Sequence, residues 1–79
     1  MEIGRVFIKI AGKEAGKICV IVDKLDRNFV IIDSPFVKRR RCNIRHLEPT
    51  EHVLNIKKGA SSEEIEKALK EAKILEGKD

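Results

Sequence analysis

Between Ile56 and Ile65 the hydrophobic pattern of this chain changes period, from two to about 3.6. Upstream of that point, apolar residues alternate with polar ones or gather in short β-branched runs. Downstream they recur at helical spacing. A chain patterned this way builds a small β-unit followed by one helix, and 79 residues leave room for little else. We place the β-unit in residues 1–56 and a linker with an amphipathic helix in residues 57–79.

From Ile3 to Ile10, Val6, Ile8 and Ile10 fall on one face and Arg5, Phe7 and Lys9 on the other, which predicts a half-buried strand. Ile18-Cys19-Val20-Ile21-Val22 is an unbroken apolar run and predicts a strand covered on both faces. Phe29 to Ile32 predicts a third strand, ended by Asp33-Ser34-Pro35 because proline cannot donate into a ladder. Val37 to Ile44 predicts a fourth, and His52 to Ile56 a short fifth that closes the sheet. Gly12 to Gly16 and Lys24 to Asn28 carry the turn residues. Eleven Ile and six Val, against three Phe and no Trp or Tyr, suit pleated surfaces, where a side chain branched at Cβ packs well. The expected fold is mainly β: a small barrel of about five strands with a C-terminal α-helix.

In the tail, Ser61-x-x-Glu64 predicts a capping box, in which hydroxyl and carboxylate each satisfy a free backbone N–H. Ile65, Ala68, Leu69, Ala72 and Leu75 follow at helical spacing, and Gly77 is the expected stop. Glu63 with Lys67 and Glu66 with Lys70 stand in the favourable i,i+4 orientation. Such a short amphipathic helix is expected to cover part of its own domain.

Several chemistries are poorly served. Structural zinc sites usually contain a tight Cys-x₂₋₄-Cys or His-x₃₋₅-His pair. Here Cys19 and Cys42 lie far apart, Cys19 sits in an apolar strand, and only Cys42-x₃-His46 and His46-x₅-His52 are close, so zinc is not expected. Both cysteines are therefore expected to be reduced thiols with packing roles, and no cofactor is expected. Ser34 and the Cys42–His46 pair lack the oriented base that a nucleophile needs. Gly12-x-x-x-Gly16-Lys17 resembles a P-loop but is one residue short and continues with Ile18 in place of Ser or Thr. No apolar stretch approaches the ~20 residues of a membrane span, and no signal peptide opens the chain. The expectation is a soluble intracellular protein that is not an enzyme and takes no small-molecule substrate.

The cations point elsewhere. All of the net charge of +4 lies in residues 1–52. Lys38-Arg39-Arg40-Arg41 is an unbroken basic run, with Asn43, Arg45 and His46 just beyond it, and Lys9, Lys13 and Lys17 flank the glycine turn. Adjacent cations repel, and an anionic partner relieves that cost. Arginine suits phosphate because its planar fork forms two parallel hydrogen bonds. Alternation sets Arg39 and Arg41 on one face and Lys38 and Arg40 on the other; Cys42 and Ile44 share the second face, so Arg39 and Arg41 are expected to face outward. Val37 is in register with them and argues the other way unless a bulge intervenes. The competing reading is a solvated basic strand that keeps a sheet edge from pairing. With few aromatics for stacking, recognition is expected to be of backbone and folded shape.

Gly4-Arg5-Val6, the Gly12–Lys17 turn, Val20-Ile21-Val22-Asp23 and Asp26-Arg27-Asn28 resemble a KOW motif, with Gly16 best matching its key glycine. Together with the segment from Lys38 to Thr50, the chain resembles the fourteen-e family of archaeal and eukaryotic large-subunit ribosomal proteins. The resemblance spans roughly residues 2–56; the loop at Ser34-Pro35-Phe36 is shorter than in many members. It implies an SH3-like barrel in the cytoplasmic ribosome, bound to large-subunit rRNA beside neighbouring ribosomal proteins. RNA contacts carried over by match are Lys13, Lys17, Lys38, Arg39, Arg40, Arg41, Asn43, Arg45 and His46. The alternative is a KOW-type transcription-elongation or other protein-binding module, for which the arginine run is excessive. A Tudor-like reader needs an aromatic cage, and this chain has no Trp or Tyr to build one.

Overall fold

The computed structural model describes residues 2–74. Five antiparallel strands form one sheet: β1 (Arg5–Lys9), β2 (Ile18–Lys24), β3 (Phe29–Asp33), β4 (Arg40–Asn43) and β5 (Leu47–Val53). A 3₁₀ turn at Ile44–His46 joins β4 to β5, and helix α1 (Ser62–Glu71) follows. The strand order is β4-β3-β2-β1-β5, so β4 and β5 are the two edges of an unclosed ladder. Cys42 of β4 and Leu47 of β5 nevertheless meet in one core, which requires the sheet to bend round on itself.

Both faces of the three central strands are buried. Phe7, Cys19, Ile21, Val30, Ile32, Val37, Cys42 and Leu47 form an inner core. Val6, Val20, Val22, Leu54 and Ala60 form a second one with Ile65 and Leu69 of the helix. The period of two explains the division: Cys19 and Ile21 point inward, Val20 and Val22 toward the helix. β2 is thus covered on both sides, as its continuous apolar run predicts. β1 is as well, and here the half-buried expectation fails. Val6 and Phe7 are both buried, Lys9 is only 5% exposed, and Ile10 lies outside the strand and is half exposed. The face carrying Phe7 and Lys9 belongs to the inner core, and the face carrying Val6 is covered by a helix 55 or more residues away in sequence.

Two strands differ from expectation in extent. β4 starts only at Arg40, because Ser34 and Val37 exchange backbone hydrogen bonds that hold the preceding residues in a tight loop. β5 begins at Leu47 and runs through Pro49, which is tolerated because the strand is an edge and pairs with β1 alone. The closure expected from a strand at His52–Ile56 does not occur; Leu54 and Ile56 instead leave the ladder and pack toward the helix.

Gly4 anchors this corner. Its N–H donates to Ile21 O at 2.8 Å, and its carbonyl accepts from Leu54 N–H at 2.7 Å. Its φ of +94° is open to glycine, and a Cβ there would lie 2.2 Å from Leu54 O.

The helix begins as the sequence predicts. Ser61 is the N-cap, its hydroxyl accepts from Glu64 N–H, and the Glu64 carboxylate accepts from Ser61 N–H at 2.8 Å. Lys70 and Glu66 pair at 3.4 Å. Ile65 and Leu69 are fully buried against the sheet, so the helix covers its own domain. The helix ends at Glu71, with Ala72 as C-cap and Lys73 at φ 62°, well before the stop expected at Gly77. Leu75 and Gly77 themselves lie outside the described residues.

Candidate nucleic-acid interface

The turn between β1 and β2 is compact and positively charged at its rim. Gly16 adopts φ +90° and donates its N–H to Lys9 O at 2.6 Å, while Lys9 N–H donates to Lys17 O at 2.9 Å. This closure turns Lys13 and Lys17 outward into solvent. Lys9 does not join them: its buried side chain folds back, and Nζ donates to Ala11 O at 3.2 Å. Glu14, half-buried in the same turn, accepts a charged hydrogen bond from Arg40 at the start of β4. The glycine turn and the arginine run, 26 residues apart, are thereby held side by side.

A second tie extends this surface. Asn43 Oδ1 accepts from Arg45 N–H at 2.9 Å and caps the 3₁₀ turn, whose exposed side chains include Arg45 and His46. His46 O accepts from Ile10 N–H at 2.8 Å, fastening that turn to the entrance of the glycine turn. Lys13, Lys17, Arg40, Arg45 and His46 thus come from three segments joined by direct contacts, with Lys38 exposed on the approach to β4.

Not every residue expected at the interface is free for it. Arg39 is exposed but tied down: Nε donates to Asp33 Oδ2 at 3.1 Å, and an NH2 group donates to Ala60 O just before the helix. Asp33 is 3% exposed and also accepts from Ser62 Oγ at 2.5 Å. The reason is the late start of β4, which leaves Arg39 in the loop, outside the strand alternation that placed it beside Arg41. Asn43 spends its carbonyl oxygen on the cap. Arg41 faces outward as expected, opposite the buried Cys42, and its guanidinium lies over the Phe29 ring at 4.8 Å from the centroid. Glu14, Asp33 and Phe29 organise the basic residues, yet nothing local in the sequence marks them for that task, since each acts on a distant strand.

No protein-family model matches the chain. Curated relatives do. A protein of Methanococcus maripaludis is 55% identical over 75 residues, covering 95% of this chain and 96% of its own length. One of Methanococcus vannielii is 51% identical over the same shares, and one of Saccharolobus solfataricus is 51% identical over 80 residues, 96% of this chain and 83% of the relative. All three are named large ribosomal subunit protein eL14. The chain belongs to the eL14 family.

In this eL14-family chain both thiols are free and buried in the inner core. Burial pushes the Cys19 thiol up to about 12, with neighbouring Cys42 adding to the rise and Lys9 opposing it, so it stays protonated and unreactive at neutral pH. Among the described residues, no three of His, Cys, Asp and Glu gather as metal ligands. None of the described helices is long and apolar enough to cross a membrane.

Proposed function

We propose that this protein is a structural, non-enzymatic constituent of the large ribosomal subunit and binds folded rRNA through its basic surface. The observation that carries the reading is the Arg40–Glu14 contact, which draws the glycine turn and the arginine strand into one cationic face. Membership of a family whose relatives are named as large-subunit proteins supports the same reading. Lys13, Lys17, Lys38, Arg40, Arg41, Arg45 and His46 supply the phosphate contacts, and Arg39 and Asn43 chiefly hold the surface in shape. Neighbouring large-subunit proteins are the remaining partners, and the working compartment is the cytoplasm. Phosphate contacts from several segments fit a folded RNA, whose backbone approaches from more than one direction.

Co-sedimentation tests this directly. Tagged protein expressed in an archaeal host is expected to travel with the large subunit and to stay there through a high-salt wash. Recovery in the free fraction under those conditions would overturn the assignment.

A further inference from the structure

Of the three aromatic residues, one is left outside. Phe7 belongs to the inner core and Phe29 lies beneath Arg41, but Phe36 is 46% exposed. Its position is fixed by the loop that carries it. Ser34 Oγ donates to Ile18 O at 2.7 Å and accepts from the N–H groups of Phe36 and Val37 at 3.1 Å each. Pro35 restricts φ on one side of Phe36, and Val37, 1% exposed, is pinned in the inner core on the other. The ring is therefore presented by a clamped loop, at little cost in conformational entropy on binding.

The surroundings say what such a ring is suited to meet. The Ser34–Ile18 hydrogen bond seats the loop next to the end of the glycine turn, where Lys17 is exposed, and Lys38 is exposed just beyond Val37. An exposed phenyl on a loop that also carries exposed Lys38, and that is bonded to the strand end following exposed Lys17, is poorly suited to an apolar protein surface, which would desolvate charge along with it. It is well placed for a nucleotide strand, which offers a flat π-face and phosphates together. We propose that Phe36 is a stacking residue: its ring takes the face of an unpaired RNA base while Lys17 and Lys38 hold the flanking phosphates. This rests on the rRNA-binding reading and adds to it a contact with a base, beyond backbone and shape.

The test combines substitution with fluorescence on the full chain, using an archaeal large-subunit rRNA transcript as probe. Phe36→Ala is expected to weaken binding by roughly ten- to a hundredfold with an unchanged salt slope, since stacking releases no counterions. Phe36→Leu is expected to be as weak as Phe36→Ala, whereas Phe36→Tyr keeps most of the affinity. The chain has no Trp, so Phe36→Trp introduces a single indole; its emission is expected to quench on RNA binding, while Val53→Trp, on an exposed part of β5, stays bright. Full affinity in Phe36→Ala, full affinity in Phe36→Leu, or equal quenching at both positions would overturn the inference and leave the rRNA reading standing. Absence of salt-dependent binding by the wild-type chain would instead remove that reading, and the stacking contact with it.

Discussion

Arg39 Nε donates to Oδ2 of Asp33 at 3.1 Å, joining the loop before β4 to the end of β3 over a carboxylate that is almost wholly buried. The same carboxylate accepts from Ser62 Oγ in the first turn of the helix, and Arg39 also donates to Ala60 O. Sheet, basic segment and helix converge on this one anion. Removing the guanidinium leaves a buried charge with a single hydroxyl partner. Because Arg39 is itself partly solvated, Arg39→Ala is expected to cost about 1–3 kcal/mol of folding stability. Urea denaturation of wild type, Arg39→Ala and the Arg39→Ala/Asp33→Asn pair checks this, and the double variant should recover part of the loss.

Arginines of one run are expected to behave differently toward RNA. Arg41 and Arg45 are exposed and have no acidic partner among the described contacts, so replacing either by Ala should lower the log–log salt slope by about one. Arg39→Ala should change the slope less and the stability more. Filter binding across a potassium chloride series separates the two patterns; equal slopes in all three variants would contradict it.

Glu14 is an anion set among Lys13, Lys17 and Arg40. Glu14→Gln keeps the side-chain shape and frees Arg40 for phosphate. Binding of rRNA is expected to tighten a few-fold at low salt, with a steeper salt dependence. The Gln amide oxygen can still accept from Arg40, so the glycine turn and β4 stay side by side, and weaker binding would contradict the prediction.

Two glycines separate steric from conformational cost. At Gly4, alanine meets both a positive φ and the Leu54 carbonyl, and is expected to destabilise the fold by about 2–5 kcal/mol. At Gly16 the φ is similar but nothing lies within 4 Å of the added carbon, so only about 1–2 kcal/mol is expected. Thermal melts of the two alanine variants supply the comparison.

Cys19 makes stability depend on alkaline pH. Its folded-state value, near 12, stands above the ordinary 9.0, so the unfolded chain loses the thiol proton first as pH rises. The stability linked to this group is complete below pH 9 and is lost progressively as pH rises from there toward 12. Cys19→Ala should show a shallower decline in urea midpoint between pH 8.5 and 10.5, while lysine titration acts alike on both proteins.

Much of the fold is legible in the residues themselves. β2 carries its two-sided burial in five consecutive apolar residues, and Ser61 and Glu64 announce the helix by a local bond that needs no tertiary context. What stays hidden depends on distant partners. Lys9 reads as a surface cation until its side chain folds back onto Ala11, and the fifth strand, expected at His52–Ile56, proves to run over Leu47–Val53 along β1. For the basic surface, the residue types were visible but their division of labour was not. Arg39 and Arg41 are equivalent by alternation; only the loop that delays β4 sends one to Asp33 and leaves the other on Phe29.

The order β4-β3-β2-β1-β5 has a consequence for the timing of folding. The pairs β1–β2, β2–β3 and β3–β4 are neighbours in the chain and can form as hairpins while synthesis proceeds. β1, although made first, keeps one row of backbone groups unpaired until Leu47–Val53 has left the ribosomal exit tunnel, and Gly4 waits for Leu54 in the same way. A nascent chain halted before that point presents β1 with one open edge, a template for pairing with another unfinished copy. Completion of β5 therefore pairs the last open side of β1.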